Sequence, residues 1–144
     1  MKKHYWVEKS SVIHARSPEI FQVLMDLEHW NQWTPSITEM SLMNTPPPVP
    51  GTKIKVLQPK LPPAIWTITE INPDTSLTWE KKSFGLRMLS EHQIIESTSK
   101  TVVSIRMTYQ GPLAGLFYKL THSLVDRYMT MEINGLKRIF GAIE

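Results

Sequence analysis

The sequence contains no cysteine, and this absence excludes disulfide bonds, thiol nucleophiles and thiolate metal sites together. Its six glycines are scattered, so no glycine-rich phosphate loop is present, and no serine-hydrolase elbow occurs either. No two histidines have the His-x-x-x-His spacing of a helical metal site, and no histidine accompanies a close pair of carboxylates. We therefore predict no metal site and no cofactor.

Long hydrophobic runs and a strong charge imbalance are also missing. No apolar run approaches the roughly 20 residues of a membrane-spanning helix, and no apolar signal segment follows Lys2 and Lys3. Sixteen Lys and Arg against 13 Asp and Glu leave a net charge of +3, without the concentrated basic stripe of a nucleic-acid surface. With 41% hydrophobic and 20% charged residues among 144, we expect one soluble, cytoplasmic domain that binds no nucleic acid and does not insert stably into membranes.

The residues that are present follow two different periods. Residues 5–14 are rich in β-branched and aromatic side chains and predict a strand, after which Ser17, as cap, and Pro18 mark the start of a short helix. Trp30 and Trp33 follow in a second short helix or an irregular corner. Between residues 36 and 111 apolar side chains alternate with period 2, and the chain contains at least six strand-like runs in all.

The last segment, residues 113–143, contains no proline and predicts one long helix. Its apolar side chains form two successive stripes, and we expect each stripe to contact a different part of the domain. The first stripe comprises Leu113, Leu116, Phe117, Leu120, Leu124, Tyr128 and Met131, and the second Val125, Met129, Leu136, Ile139, Phe140 and Ile143. Gly135 lies near the change of stripe and permits a bend or a close backbone contact.

Several short motifs occur in an order that is typical of one superfamily. They are residues 12–19 (VIHARSPE), 25–27 (MDL), 30–35 (WNQWTP), 50–52 (PGT), 68–73 (ITEINP) and 77–79 (LTW), and a closing helix with Leu136-Lys137. Together they resemble the START-like helix-grip superfamily of SRPBCC type, which includes polyketide cyclase/dehydrase and lipid-transfer proteins. The resemblance implies a single α+β domain over residues 1–144. It further implies a curved antiparallel sheet of six to seven strands wrapped around the C-terminal helix, two short helices after the first strand, and an internal cavity.

Strand alternation and the first helical stripe predict which side chains border that cavity. Many of them are Trp or Met, which suit a variable apolar ligand but are equally typical of an ordinary core. The predicted ligand-binding residues are Ile54, Val56, Trp66, Ile68, Trp79, Met88, His92, Ile105, Met107, Tyr109, Phe117, Leu120, Leu124, Tyr128 and Met131.

Three functions fit this sequence. The leading hypothesis is a non-catalytic carrier or sensor of a small hydrophobic molecule, such as a lipid, isoprenoid, quinone or polyketide-like compound. The alternative is a cyclase or dehydratase that acts on an aromatic or polyketide substrate, with His92 and Tyr109 as candidate acid/base groups. Binding is favoured because no carboxylate partner for His92 is predicted to face inward. A protein-interaction module stays open as the third, and the sequence does not determine whether a protein partner or a homodimer exists.

Overall fold

The computed structural model describes residues 5–141 and contains, within them, seven strands, two α-helices and one 3-10 helix. The strands are β1 (Tyr5–Ile13), β2 (Glu39–Leu42), β3 (Lys53–Leu57), β4 (Ala64–Asn72), β5 (Ser76–Ser83), β6 (Leu86–Glu96) and β7 (Thr101–Gln110). The α-helices are α1 (Ser17–Met25) and α2 (Ala114–Phe140), and the 3-10 helix spans Leu27–Gln32. Ile143, which belongs to the second predicted stripe, lies outside the described residues. No helix in the described range is both long and apolar enough to cross a membrane.

The strands form one antiparallel sheet in the order β1-β7-β6-β5-β4-β3-β2. The first strand pairs with the last, so that Tyr5 lies opposite Tyr109 and Ile13 opposite Thr101. Helix α2 lies against the inner face of this curved sheet and contacts β1 and β7. The arrangement confirms the predicted α+β helix-grip fold, with seven strands.

The strand faces follow the predicted alternation. In β6, Ser90, His92 and Ile94 are all buried, whereas Ile95 is 56% exposed. Because successive side chains of a strand point to opposite faces, one buried pair of positions assigns the whole strand. The sequence pattern of β6 is ambiguous because Ile95 breaks the alternation, and the structure resolves it by placing Ser90, His92 and Ile94 on the inner face and Ile95 on the outer face.

The start of α1 differs from the prediction. Ser17 is the first helical residue and not the cap; its backbone N–H donates to Glu96 Oε1 at 2.8 Å, from the end of β6. The N–H of Arg16, which is the N-cap, donates to Glu19 Oε1 at 3.0 Å. The predicted serine cap is wrong because a carboxylate distant in sequence satisfies the free helical N–H. Hydrogen bonds from Ser17, assisted by the nearby charge of Arg16, hold the pKa of Glu96 below its ordinary value.

The corner after α1 closes one end of the space between α2 and the sheet. The Trp30 indole N–H donates to the Leu24 carbonyl at 3.0 Å, and its ring centroid lies 5.3 Å from that of Trp79. A Cβ at Gly135 would overlap the backbone carbonyl oxygen of Trp33. Of the two roles considered for Gly135, the close backbone contact is therefore the one observed. We call this region, formed by Trp30, Trp33, Trp79, His92 and Gly135, the closed end.

The inward face of α2 lies between the two predicted stripes. Leu116 and Leu120 are 54% and 69% exposed, so the prediction that the first stripe faces inward is wrong at these positions. The stripe followed apolar residues only, whereas Thr121 and Glu132 both line the interior. At 3.6 residues per turn, these two polar residues lie near the middle of the inward face, and the predicted stripe is displaced by about a quarter turn.

Candidate ligand-binding cavity

A cavity of about 210 Å³ lies between α2 and the strands β4 to β7. Its wall is largely apolar because the inward positions of these strands and the middle of α2 carry aromatic, aliphatic and methionine side chains. The apolar wall consists mainly of Trp66, Met88, Ile105, Met107, Phe117, Val125 and Met129. Such a wall with a few polar groups is typical of sites for small molecules.

The cavity opens beside the loop that joins β3 to β4. Leu61 and Pro62 of this loop line it, together with Ser83 from the end of β5, and both Pro62 and Ser83 are exposed. The loop is attached to α2 by a hydrogen bond from the Tyr128 hydroxyl to the Pro59 carbonyl. We call this region, formed by residues 58–63, Lys81 and Ser83, the open end.

The structure brings only part of the predicted site to this cavity. Trp66, Met88, Ile105, Met107, Phe117 and Tyr128 line it. Ile54, Val56, Ile68 and Trp79 are buried in the core and do not reach it, because neighbouring side chains fill their part of the interior. Leu124 and Met131 are half-buried away from it, and Leu120 is exposed, because the inward face of α2 is turned away from these positions.

His92 lies behind the cavity wall and has a carboxylate partner. Its ring is 2% exposed and contacts Trp30 and Trp79, at centroid distances of 5.4 and 5.1 Å. His92 Nε2 lies 3.3 Å from Glu132 Oε1, so an ionised Glu132 accepts a hydrogen bond from Nε2–H. Within residues 5–141 His92 Nδ1 has no hydrogen-bond partner. Glu132 itself lines the cavity, so the expectation that no carboxylate faces inward beside His92 is wrong.

Tyr109, the second acid/base candidate, is already engaged. Its side chain is fully buried, and its hydroxyl lies 2.7 Å from Thr121 Oγ1. Thr121 Oγ1 donates to the Phe117 carbonyl, so the Tyr109 hydroxyl is the donor in the first bond. Burial raises the pKa of Tyr109, which makes the phenol a weaker acid. The hydroxyl thus holds α2 against β7 and does not reach the cavity.

Three polar residues of the wall, Lys81, Thr121 and Glu132, were not predicted, although each has a signal in the sequence. Lys81 lines the cavity from β5, and it alternates with the inward-facing Trp79 two residues before it. Burial lowers the pKa of Lys81. Glu132 and Thr121 lie between the two apolar stripes of α2. A prediction of one broad inward face that spans both stripes would have included these two residues. The loop residues Leu61 and Pro62 have no periodic pattern that could place them.

The fold and the cavity define a helix-grip protein, and comparison with known proteins identifies the family. The family model described as polyketide cyclase / dehydrase and lipid transport matches residues 6–141. The chain therefore belongs to that family, and the resemblance to the START-like superfamily is confirmed. A search of curated protein sequences gave no significant match.

Solved structures share the fold at low sequence identity. The chain is similar to ginseng major latex-like protein 151 from Panax ginseng, with 10% identity, a TM-score of 0.74, and 96% and 99% of the two chains covered. A START superfamily protein from Mycobacterium smegmatis gives 13% identity, a TM-score of 0.72, and coverage of 95% and 99%. The di-domain ARO/CYC from the steffimycin biosynthetic pathway gives 10% identity and a TM-score of 0.73; 95% of this chain matches 50% of that one. The chain thus spans about half the length of that di-domain protein.

Proposed function

We propose that the protein is a non-catalytic carrier or sensor that holds a small, mostly apolar molecule between α2 and the sheet. The observation that carries the proposal is the cavity of about 210 Å³, whose wall is dominated by apolar side chains. Its methionines, Met88, Met107 and Met129, suit ligands of variable shape because their side chains are flexible and polarisable. A lipid, isoprenoid, quinone or polyketide-like molecule has the matching apolar body.

The positions of the acid/base candidates support a carrier over an enzyme. A catalytic acid or base must come within hydrogen-bond reach of the group it protonates or deprotonates. His92 lies behind the wall, and the hydroxyl of Tyr109 is bonded to Thr121. Neither side chain lines the cavity, so neither of the predicted groups is placed to touch a ligand there.

A pair of neighbouring substitutions in β4 tests the proposal. Ala64 lines the cavity, whereas the next residue, Ile65, is 48% exposed on the outer face of the sheet. The probe is the neutral fluorophore N-phenyl-1-naphthylamine, titrated into the purified chain. Ala64→Phe should occupy the cavity and weaken probe binding by about tenfold or more, which corresponds to roughly 1.4 kcal/mol. Ile65→Phe, the control, should leave binding within a factor of about two.

Unchanged probe binding in Ala64→Phe would show that the probe binds elsewhere and would overturn the assignment of the site. Mass spectrometry of molecules extracted from the freshly purified protein gives an independent measurement. We expect an apolar or amphipathic compound from the wild-type chain and less of it from Ala64→Phe.

A cyclase or dehydratase is the second candidate, and one observation favours it. Glu132 lines the cavity while His92 Nε2, 3.3 Å away, holds its carboxylate in place. In this reading Glu132 is the acid/base group and His92 is a positioning residue. Glu132→Gln should then lower the turnover of an aromatic polyketide substrate by about 10²–10⁴-fold with its affinity retained. Absence of turnover in the wild-type chain would leave the carrier as the function.

A further inference from the structure

We infer that the ligand carries one anionic group, such as a carboxylate or sulfonate, which Lys81 binds at the open end of the cavity. The apolar body of the ligand then lies between α2 and the sheet. The inference rests on the proposed function and narrows its ligand class from small apolar molecules to amphipathic acids.

Lys81 differs from the neighbouring cations because it has no acidic partner in the part of the chain that the structure describes. Lys82 and Arg87 both contact Glu80, with nitrogen–oxygen distances of 3.7 and 2.6 Å. The alternation of β5 places Glu80 and Lys82 on the outer face of the sheet and Lys81 on the inner face, where it lines the cavity. Within residues 5–141 Lys81 forms no ion pair. The outer cations are therefore compensated, and the cation in the cavity is not.

The acid on the cavity wall, Glu132, lies at a different depth from Lys81. In the sheet Lys81 pairs with Met88, whereas Leu77 pairs with His92, the partner of Glu132. Leu77 and Lys81 are four residues apart, which corresponds to about 13 Å along an extended strand.

The geometry of helix α2 independently indicates a similar distance between the levels of Lys81 and Glu132. Thr121 contacts Tyr109, which is the register partner of Met88 and therefore lies at the level of Lys81. From Thr121 to Glu132 the helix rises about 16 Å. The sheet and the helix thus agree that the Lys81 ammonium lies at the open end and the Glu132 carboxylate lies beside the closed end. The third titratable group of the wall, Tyr128, is bonded to the Pro59 carbonyl.

This separation of charge determines how an acid would be oriented. The Lys81 ammonium, half-buried and unpaired, lacks part of its hydration, and burial lowers its pKa for that reason. An anion beside it restores a partner, and hydrogen bonds between charged groups are stronger than neutral ones. The Glu132 carboxylate repels an anion from the side of the cavity next to the closed end. The acidic group of the ligand therefore faces the open end, and its apolar body extends towards Glu132.

Two fluorophores that differ by one charged group test this inference. N-phenyl-1-naphthylamine is neutral, and 8-anilino-1-naphthalenesulfonate carries a sulfonate on the same ring system. Both are titrated into the wild-type chain and into Lys81→Met, which keeps most of the side-chain length and removes the charge. We expect Lys81→Met to weaken binding of the sulfonate probe by about tenfold or more. Binding of the neutral probe should stay within a factor of about two.

Two further variants show whether the effect belongs to this position. Lys82→Met removes a charge from the adjacent, exposed residue and should change neither affinity. Lys81→Arg keeps the cation and should retain most of the affinity for the sulfonate probe. Thermal unfolding provides a separate readout: Lys81→Met should raise the Tm of the ligand-free protein, because a partly desolvated charge is removed.

Equal losses for both probes in Lys81→Met would overturn the inference, since Lys81 would then act only as part of the wall. Equal losses of sulfonate binding in Lys81→Met and Lys82→Met would overturn it as well, because the effect would be one of overall charge. If the neutral probe binds and Ala64→Phe blocks it, either result leaves the proposed function intact. If neither probe binds the wild-type chain, the proposed function fails and the inference fails with it.

Discussion

The two ends of the space between α2 and the sheet are filled to different extents. At the closed end, the Trp30 and Trp79 rings pack against His92, and Gly135 lets α2 approach the backbone of Trp33. At the open end, side chains of β5, β6 and α2 border the cavity instead of filling it, and a proline-rich loop lies beside them. The difference shows that the cavity does not follow from the helix-grip fold alone. It depends on where the bulky side chains and the close backbone contact occur.

The largest expected effect comes from emptying the closed end. Trp30 is 1% exposed, and Trp30→Ala should lower the free energy of unfolding by about 3–5 kcal/mol, the range for large aromatic residues in a packed core. Met88 lies half-buried on the cavity wall, so Met88→Ala enlarges a space that already exists and should cost less than about 2 kcal/mol. Chemical denaturation of both variants measures the contrast. Similar losses would mean that the two ends are equally well packed.

A smaller effect is expected from the glycines of α2. Gly135→Ala places a methyl group against the Trp33 carbonyl, and overpacking of this kind costs about 1–3 kcal/mol. Gly115→Ala, near the start of the same helix, meets only the tip of the Tyr5 side chain at 3.0 Å. This second change should be close to neutral, because the preference of the helix for alanine over glycine, about 1 kcal/mol, offsets the cost of the tight contact with Tyr5. Thermal unfolding of the two variants compares them, and a stabilised Gly135→Ala would contradict the close contact.

The smallest effect concerns pH and the attachment of α1. The pKa of Glu96 is lowered in the folded protein by its hydrogen bonds from Ser17. Its contribution to stability is therefore complete above the ordinary glutamate pKa and is lost as the pH falls through the lower, folded-state value. Glu96→Gln should reduce the acid-side loss of stability. The Tm of the wild-type chain and of this variant between neutral and acidic pH checks the prediction, and parallel profiles would contradict it.

The sequence predicted the sheet more accurately than the helix, for a geometric reason. A strand has a period of two, so one assigned position determines the face of every other, and the inward positions predicted at Ile54, Trp66 and Ile105 are all buried. On a helix the inward face is an arc, and its centre must be inferred from residues on either side. At Thr121 and Glu132 the centre is polar, so a stripe of apolar residues alone was displaced from it.

The presence and position of the cavity could not be predicted from the hydrophobic pattern of the sequence. Ile54 and Met88 both occupy inward positions of the sheet, yet the first is in the filled core and the second borders the cavity. Whether space remains between two walls depends on how closely the helix approaches, and here Gly135 sets that approach at one end only. Lys81 was missed for a different reason, because lysine is normally exposed.

The pairing of β1 with β7 has a consequence for how this protein acquires its structure. Tyr5 lies opposite Tyr109, so the first strand of the chain has no partner until almost all other strands have been synthesised. Contacts between residues so distant in sequence raise the contact order, and domains rich in such contacts fold in about milliseconds to seconds. A chain that ends before Thr101 lacks both β7 and α2. It would leave β1 unpaired and the inner face of the sheet uncovered, so such fragments should aggregate.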